Sequence, residues 1–396
     1  MSYSNLTSEF FKKFCKYIYL CGNSYLWIEE IEFSSLFLKV YRKLTDLITV
    51  CIYIFISMQL AGLFTQPNLT EKQYYDRFVL SFCHPVTIVF YLYTDYYKNT
   101  TKEIIFKLAV VLKNVYNDKD IERQMLRKSK LYSVAILCNF STTLISYGFD
   151  GLVQVACREG TFTTVITAWP DVEDRSVYAN IGRVATYIVW WLYVIRLSAT
   201  YLLMTFLTIC LSYQYKNLQS YFYNLEKIFD ENELSQFEKE KKYERSVKIG
   251  IKLHSETNWC VDKTQTVLAF VFNGQIMINV VLICTVMLQM ANSERTISNA
   301  LATVTTGTTC LVCTGFFMWF AGDITVEAGS LSTAIYSSGW ENCEGDCSAR
   351  MRRLLVFAIT QSQKPVVLRS FGIVDLSYQS FVTIVKASYS VFSLLY

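Results

Sequence analysis

Hydrophobic and polar positions divide the chain into seven long apolar runs separated by charged connections. The runs are Leu44–Phe64, Phe78–Tyr97, Leu131–Val155, Val184–Tyr213, Thr264–Met290, Ile297–Ala321 and Val374–Tyr396. Each approaches or exceeds the roughly 20 residues a helix needs to cross a hydrocarbon core about 30 Å thick. The pattern predicts an all-α membrane protein with seven transmembrane helices. His84-Pro85 interrupts the second run and Lys386 sits inside the seventh. Proline is tolerated in a membrane helix when neighbours satisfy the freed backbone, so both are read as spans. A charged start followed by an apolar stretch and a small-residue cleavage site is missing, so no removable signal is expected. Residues 1–43 read instead as a retained, partly amphipathic helical region.

Lys and Arg then orient the spans, because cytoplasmic connections carry their excess. Residues 1–43 hold six, 98–130 nine, 214–263 nine and 322–373 five. The other connections hold only Lys72 and Arg77; Arg158, Arg175 and Arg183; and Arg295. A cytoplasmic N-terminus and an extracellular C-terminus are expected, the reverse of a G-protein-coupled receptor. That class also carries an Asp-Arg-Tyr run after its third span and Asn-Pro-x-x-Tyr in its seventh, and neither occurs. Of the Asn-x-Ser/Thr sequons, only Asn68-Leu69-Thr70 falls outside, making Asn68 the usable glycosylation candidate.

Composition agrees: 52% hydrophobic, 18% charged and a mean hydropathy of +0.26 disfavour an ordinary soluble protein. A net charge of +4, with its basic residues segregated by topology, gives no reason to expect nucleic acid as a partner. Seven of the 13 cysteines lie inside spans as small apolar residues, and Cys157 stands alone outside, so no disulfide scaffold is expected. Cys310-x-x-Cys313 lacks His or carboxylate partners nearby and lies on an apolar helix, the Cys343/Cys347 pair falls in a reducing compartment, and no metal or cofactor is expected. The two histidines, His84 and His254, form no cluster, and His84 reads as a helix-packing residue. Phosphate-binding loops and a Gly-x-Ser-x-Gly elbow are missing too, and intramembrane charge is sparse, so the chain is not expected to be an enzyme. Internal repeats and correspondingly broken helices, frequent in transporters, are not evident.

The spans do hold aromatics with scattered hydroxyls. Phe82, Tyr147, Phe149, Tyr187, Trp190, Trp191, Val304 and Thr305 fall in the outer halves of spans two, three, four and six. Such residues could line a pocket for a small, largely apolar ligand, or equally form an interfacial belt. In the last run Thr383, Lys386, Ser390 and Ser393 recur at helical spacing as a polar stripe. Lys386 in mid-span costs about 2.5–3.5 kcal/mol on insertion scales, which marks a functional candidate; snorkelling or pairing with a neighbouring carboxylate is the alternative.

Towards the C-terminus the residues become distinctive: Ala334-Ile335-Tyr336, Trp340, Arg352-Arg353-Leu354-Leu355, Gln361-Ser362-Gln363-Lys364-Pro365 and Ser388-Tyr389-Ser390. This series resembles the closing region of insect odorant receptors, and Ser380–Tyr396 looks most like the ligand-specific tuning subunits of moths. The resemblance implies a heteromeric ligand-gated non-selective cation channel. In it this chain would bind a small volatile organic ligand within the lipid bilayer, and an odorant receptor coreceptor would complete the pore. It implies a dendritic plasma-membrane location, an odorant pocket in the outer halves of spans two, three, four and six, subunit contacts in 322–373 and a pore lined by 374–396. The family's hydrophobic gate lies three and seven residues beyond the tyrosine matching Tyr389, which gives Phe392 and Tyr396. Those positions and the stripe agree only partly in direction, leaving Lys386, Tyr389, Phe392, Ser393 and Tyr396 as pore or gate candidates. Related gustatory receptors close with Gln-Phe, whereas this chain closes with Ser393-Leu394-Leu395-Tyr396. A metabotropic seven-span receptor or a gustatory-type channel is the alternative reading.

Overall fold

A computed structural model describes residues 5–157, 160–292, 296–344 and 347–395. The side chains of Ser298, Cys347, Phe392, Leu394 and Leu395 lie outside this description, as do Tyr396 and Arg158 entirely. The elements are α1 (Leu6–Leu20), α2 (Ser35–Thr65), α3 (Glu71–Tyr96), α4 (Lys98–Phe106), a π-helix (Lys107–Val111), α5 (Leu112–Val115), α6 (Lys119–Cys157), α7 (Val177–Tyr223), α8 (Gln236–Asn292), α9 (Ile297–Tyr336) and α10 (Cys347–Ser362). A hairpin of β1 (Arg369–Ser370) and β2 (Val374–Asp375) leads into α11 (Tyr378–Leu395).

The predicted spans fall within α2, α3, α6, α7, α8, α9 and α11. Of these, α2, α3, α7, α8 and α9 are long and apolar enough by themselves to cross a membrane. The span segments of α6 and α11 carry more hydroxyl and charged side chains, including Asp150 and Lys386. Helix α7 is the axis, buried almost continuously from Arg196 to Leu218, with α6, α8 and α9 packed around it. At a rise of 1.5 Å per residue, the 57 residues of α8 extend for about 85 Å, far beyond what a bilayer core requires. Helix α2 lies at the periphery and leaves Leu47, Val50 and Phe64 uncovered by the rest of the chain, as a lipid-facing helix does.

Three boundaries differ from the sequence expectation. Helix α3 begins at Glu71, not Phe78, because Thr70 and Gln73 form a reciprocal capping box, so Lys72 and Asp76 are helical and buried. The connection left between the third and fourth spans, 156–183, is shorter than the runs imply, since α6 runs to Cys157 and α7 starts at Val177. Arg183 is thereby a buried helical residue whose guanidinium donates to the carbonyls of Asp171, Val172 and Asp174. In that connection the Ser176 N–H and hydroxyl hold the Asp174 carboxyl below the usual range. The seventh segment does not start as helix at Val374. The Leu376 N–H donates to the Leu368 carbonyl, Arg369 Nε lies 2.9 Å from Asp375 Oδ1, and the Ser377 hydroxyl caps the helix at Ser380 N–H.

The N-terminal region is docked against the bundle. Phe10 and Phe14 of α1 pack against Phe206 of α7, and the Thr7 N–H and hydroxyl donate to Glu122 Oε1 at 2.8 and 2.6 Å. One end of the bundle therefore carries α1, α4, α5, α10 and the hairpin. The opposite end, called here the loop end, carries the connections 66–70 and 160–176.

Candidate ligand cavity

A cavity of about 120 Å³ lies inside the bundle towards the loop end, walled by α3, α6, α7, α8 and α9. Each wall is a helical stripe. Phe140, Thr143 and Leu144 come from α6, Trp190, Val194, Leu197 and Tyr201 from α7, and Thr306, Thr309, Cys310 and Cys313 from α9. The i, i+3, i+4, i+7 recurrence places each set on one helix face. Helix α3 adds Cys83, His84 and Thr87, and α8 adds Gln275, Ile278 and Leu282.

Polar groups in this wall mostly satisfy one another, as buried polar atoms must. The Trp190 indole can only donate, so its 3.1 Å contact makes His84 Nε2 the acceptor. The other ring nitrogen, Nδ1, then carries the proton and donates to Gln59 Oε1 at 2.8 Å. The His84 carbonyl, just before Pro85, accepts from the hydroxyls of Tyr193 and Thr87, which ties the ring's backbone to α7. Opposite, the Tyr201 hydroxyl donates to Gln275 Oε1, and Gln275 Nε2 donates to Thr314 at 3.0 Å. Thr143 and Thr309 join α6 to α9 at 2.7 Å, and Ser146 and Thr305 repeat the link one turn on at 2.7 Å. What faces the cavity is thus chiefly ring and aliphatic surface. An apolar cavity of roughly 150 Å³ takes benzene, so this volume suits one small, uncharged molecule.

Of the aromatic candidates, Trp190 lines the cavity. Tyr147, buried, lies edge-on to it at 5.2 Å; Tyr187 is 6.4 Å from it, and Trp191 is 6.4 Å from Tyr187. These four form an aromatic layer on the loop-end side, and Thr305 flanks it. Phe149 and Val304 are 49% and 47% exposed, on the outer faces of α6 and α9, and do not line the cavity. Phe82 packs half-buried against the main core rather than into the cavity. Reasoning from sequence omitted span five altogether and treated His84 as packing alone. Gln275 and Asn279, two amides four residues apart in an apolar helix, were a usable signal, since intramembrane polar groups turn inward.

On α11, Ile384 and Ser388 are buried, the Cys284 thiol donating to the Ser388 carbonyl at 3.2 Å. Thr383, Lys386, Tyr389, Ser390 and Ser393 all lie on the exposed side. Among the described residues, Lys386 has no carboxylate within ion-pair distance, so the expected alternative of pairing inside the chain is not realised. The Phe392 side chain and Tyr396 lie outside the described residues. Asn68 is exposed, with φ +56°, in the turn before α3. Among the described residues, no group of three or more His, Cys, Asp or Glu is arranged to hold a metal.

Fold and cavity define a multi-pass α-helical membrane protein with an internal ligand-sized chamber. The 7tm Odorant receptor family model matches residues 98–389, and the chain belongs to that family, whose members are receptors rather than enzymes. Odorant receptor 56a of Drosophila melanogaster is 34% identical over 79 residues, a stretch that covers 20% of this chain and 18% of that protein. The insect olfactory receptor OR5 from Machilis hrabei, solved in complex with eugenol, superposes with a TM-score of 0.80 at 12% identity, over 98% of this chain and 97% of that one. A second structure of OR5 gives 0.79 at 13% identity with the same coverage.

Proposed function

We propose that the chain is the odorant-binding subunit of a heteromeric ligand-gated non-selective cation channel, completed by an odorant receptor coreceptor in the plasma membrane of an olfactory neuron dendrite. The observation that carries this reading is the largely apolar, aromatic-walled cavity of about 120 Å³ between five helices, in a chain of the odorant receptor family. Such a chamber selects a small volatile organic molecule by shape and by the few hydroxyl and amide groups in its wall. The polar side of α11, with Lys386, Tyr389 and Ser393, is left uncovered by the chain itself. That is the face a shared pore would use, with Phe392 and Tyr396 as the gate beyond it. Helix α10 presents Val356 and Phe357 beside Arg352 and Arg353 on its open face, the subunit contact in this reading.

Whole-cell recording with a broad volatile panel, with and without the coreceptor and with a G-protein blocker present, tests the proposal. Rapid cation current that needs the coreceptor and survives the blocker is expected; a response abolished by the blocker would make the receptor metabotropic. The orientation, loop end outward, has its own test. Wild-type protein from insect cells should lose mass on treatment with an N-glycosidase, and Asn68→Gln should run unmodified from the start. Glycosidase sensitivity that survives Asn68→Gln would move the glycan elsewhere.

A further inference from the structure

The cavity lies within the bundle, and at the loop end a separate vestibule of about 960 Å³ opens above it, lined by Asn68, Glu71, Lys72, Gln154, Arg175 and other residues. Between the two lies a buried ionic cluster that the ligand-binding reading leaves unused. Lys72 on α3 pairs with Asp150 on α6 and lies 3.8 Å from Asp76, one turn along α3. Gln154, which also faces the vestibule, donates to Asp150 Oδ2 at 2.9 Å. Asp76 accepts from the Tyr147 hydroxyl and from Gln289 of α8, each at 3.1 Å. On its inner side Tyr147 meets Thr306 at 3.4 Å and the Trp190 ring at 5.2 Å, and both of these residues wall the cavity.

A single file of contacts therefore runs from vestibule to cavity: Lys72, Asp150 and Asp76, then Tyr147, then Trp190 and Thr306. We propose that this file is the ligand's entry route and that the Lys72–Asp150 pair is its latch, closed in this structure. The charges suit a latch better than a permanent clasp. Two carboxylates share one ammonium, and Asp150, only 2% exposed, keeps Oδ1 without a hydrogen bond among the described residues. Water admitted on opening would satisfy that oxygen, which lessens the penalty of parting the pair. Opening requires α3 and α6 to separate only at their loop-end turns, where the 66–70 and 160–176 connections lie. The neck also carries one carboxylate in excess, so it disfavours carboxylate-bearing molecules.

This inference rests on the cavity being the ligand site, but its test does not require a known odorant. Cys83, Cys310 and Cys313 line the cavity as free thiols. Methyl methanethiosulfonate, small and uncharged, converts a thiol to its methyl disulfide with release of methanesulfinate, and mass spectrometry reads each cysteine separately in the full chain in lipid nanodiscs. Exposed Cys138 serves as the reference, and Cys260, fully buried towards the α1 end of α8, reports unfolding. Minor conformers commonly make up about 0.1–10% of an ensemble, so holding the latch open should speed cavity labelling at least about tenfold. That acceleration is expected for Lys72→Met and for Asp150→Asn, with Cys138 and Cys260 unchanged. The charge-swapped Lys72→Asp/Asp150→Lys double variant should return to the wild-type rate. Unchanged cavity labelling in both single variants, as entry from the lipid would give, overturns the proposal. So does acceleration that extends to Cys260, or a swapped pair as fast as the singles. Channel recordings failing while labelling follows the expected pattern would instead count against the cavity as the odorant site.

Discussion

Trp190→Ala should abolish the response to small ligands and lower the protein's stability by about 3–5 kcal/mol, the usual cost of truncating a buried tryptophan. Two losses coincide at this residue. The indole forms part of the cavity wall and abuts Tyr147, so its removal merges the chamber with the space around the aromatic layer and leaves a small ligand with few contacts. Its N–H is also the donor to His84 Nε2, and a buried acceptor left unpaired costs about 1–3 kcal/mol. Trp190→Phe separates the two, since it keeps most of the wall but still orphans His84. It should retain a response at higher ligand concentration, with a smaller drop in melting temperature. Concentration-response curves for coreceptor-dependent current, paired with thermal unfolding in nanodiscs, make the check. A full response from Trp190→Ala at wild-type concentrations would remove the cavity from ligand recognition.

The helices at the seven apolar runs were legible, five of them long and apolar enough to span by themselves, because bilayer thickness imposes a length that hydropathy reads directly. The termini of the helices were less so. Lys72 and Arg183 were assigned to connections because they are charged, whereas capping by Thr70 and the carbonyls around Asp171 draw them into helices and bury them. The hairpin before α11 is two residues per strand, too short for any alternation to register. The cavity shows the same limit in a sharper form. The aromatics pointed to α3, α6 and α7, and Val304 and Thr305 to α9, but residue type could not choose a face. Phe149 lies nine residues beyond Phe140, two and a half turns, and so faces away from the Phe140, Thr143 and Leu144 stripe. Val304 is two residues before Thr306 and is turned outward for the same reason. The face is fixed by which neighbours each helix meets, a long-range fact that residue type does not carry. The polar stripe on α11, by contrast, could be read from spacing alone, since Thr383, Lys386, Ser390 and Ser393 do share the exposed side.

Close approach of α3 and α8 sets the second large effect. A Cβ at Gly274 would lie 2.4 Å from the Phe90 ring and 2.9 Å from Val86, both on α3. Phe90 is 1% exposed and packed near Tyr201, so its ring has nowhere to retreat. Glycine inside a helix gives up about 0.5–1 kcal/mol relative to alanine, and here that loss is the condition for the two helices to touch. Gly274→Val should therefore cost about 3 kcal/mol through overpacking, and its consequence is specific. Forcing α3 from α8 displaces His84 and Thr87 on one side and Gln275 on the other, which are cavity walls. Reduced surface delivery, a melting temperature lower by several degrees and loss of ligand response in the delivered fraction are expected. Gly329 is the control: exposed on α9, it has nothing within 4 Å of an added Cβ. Gly329→Ala should stabilise by about 0.5–1 kcal/mol through helix propensity alone and leave the response unchanged. Opposite signs at two helical glycines would tie the effect to the α3–α8 contact; equal effects would mean that backbone propensity, not packing, governs both.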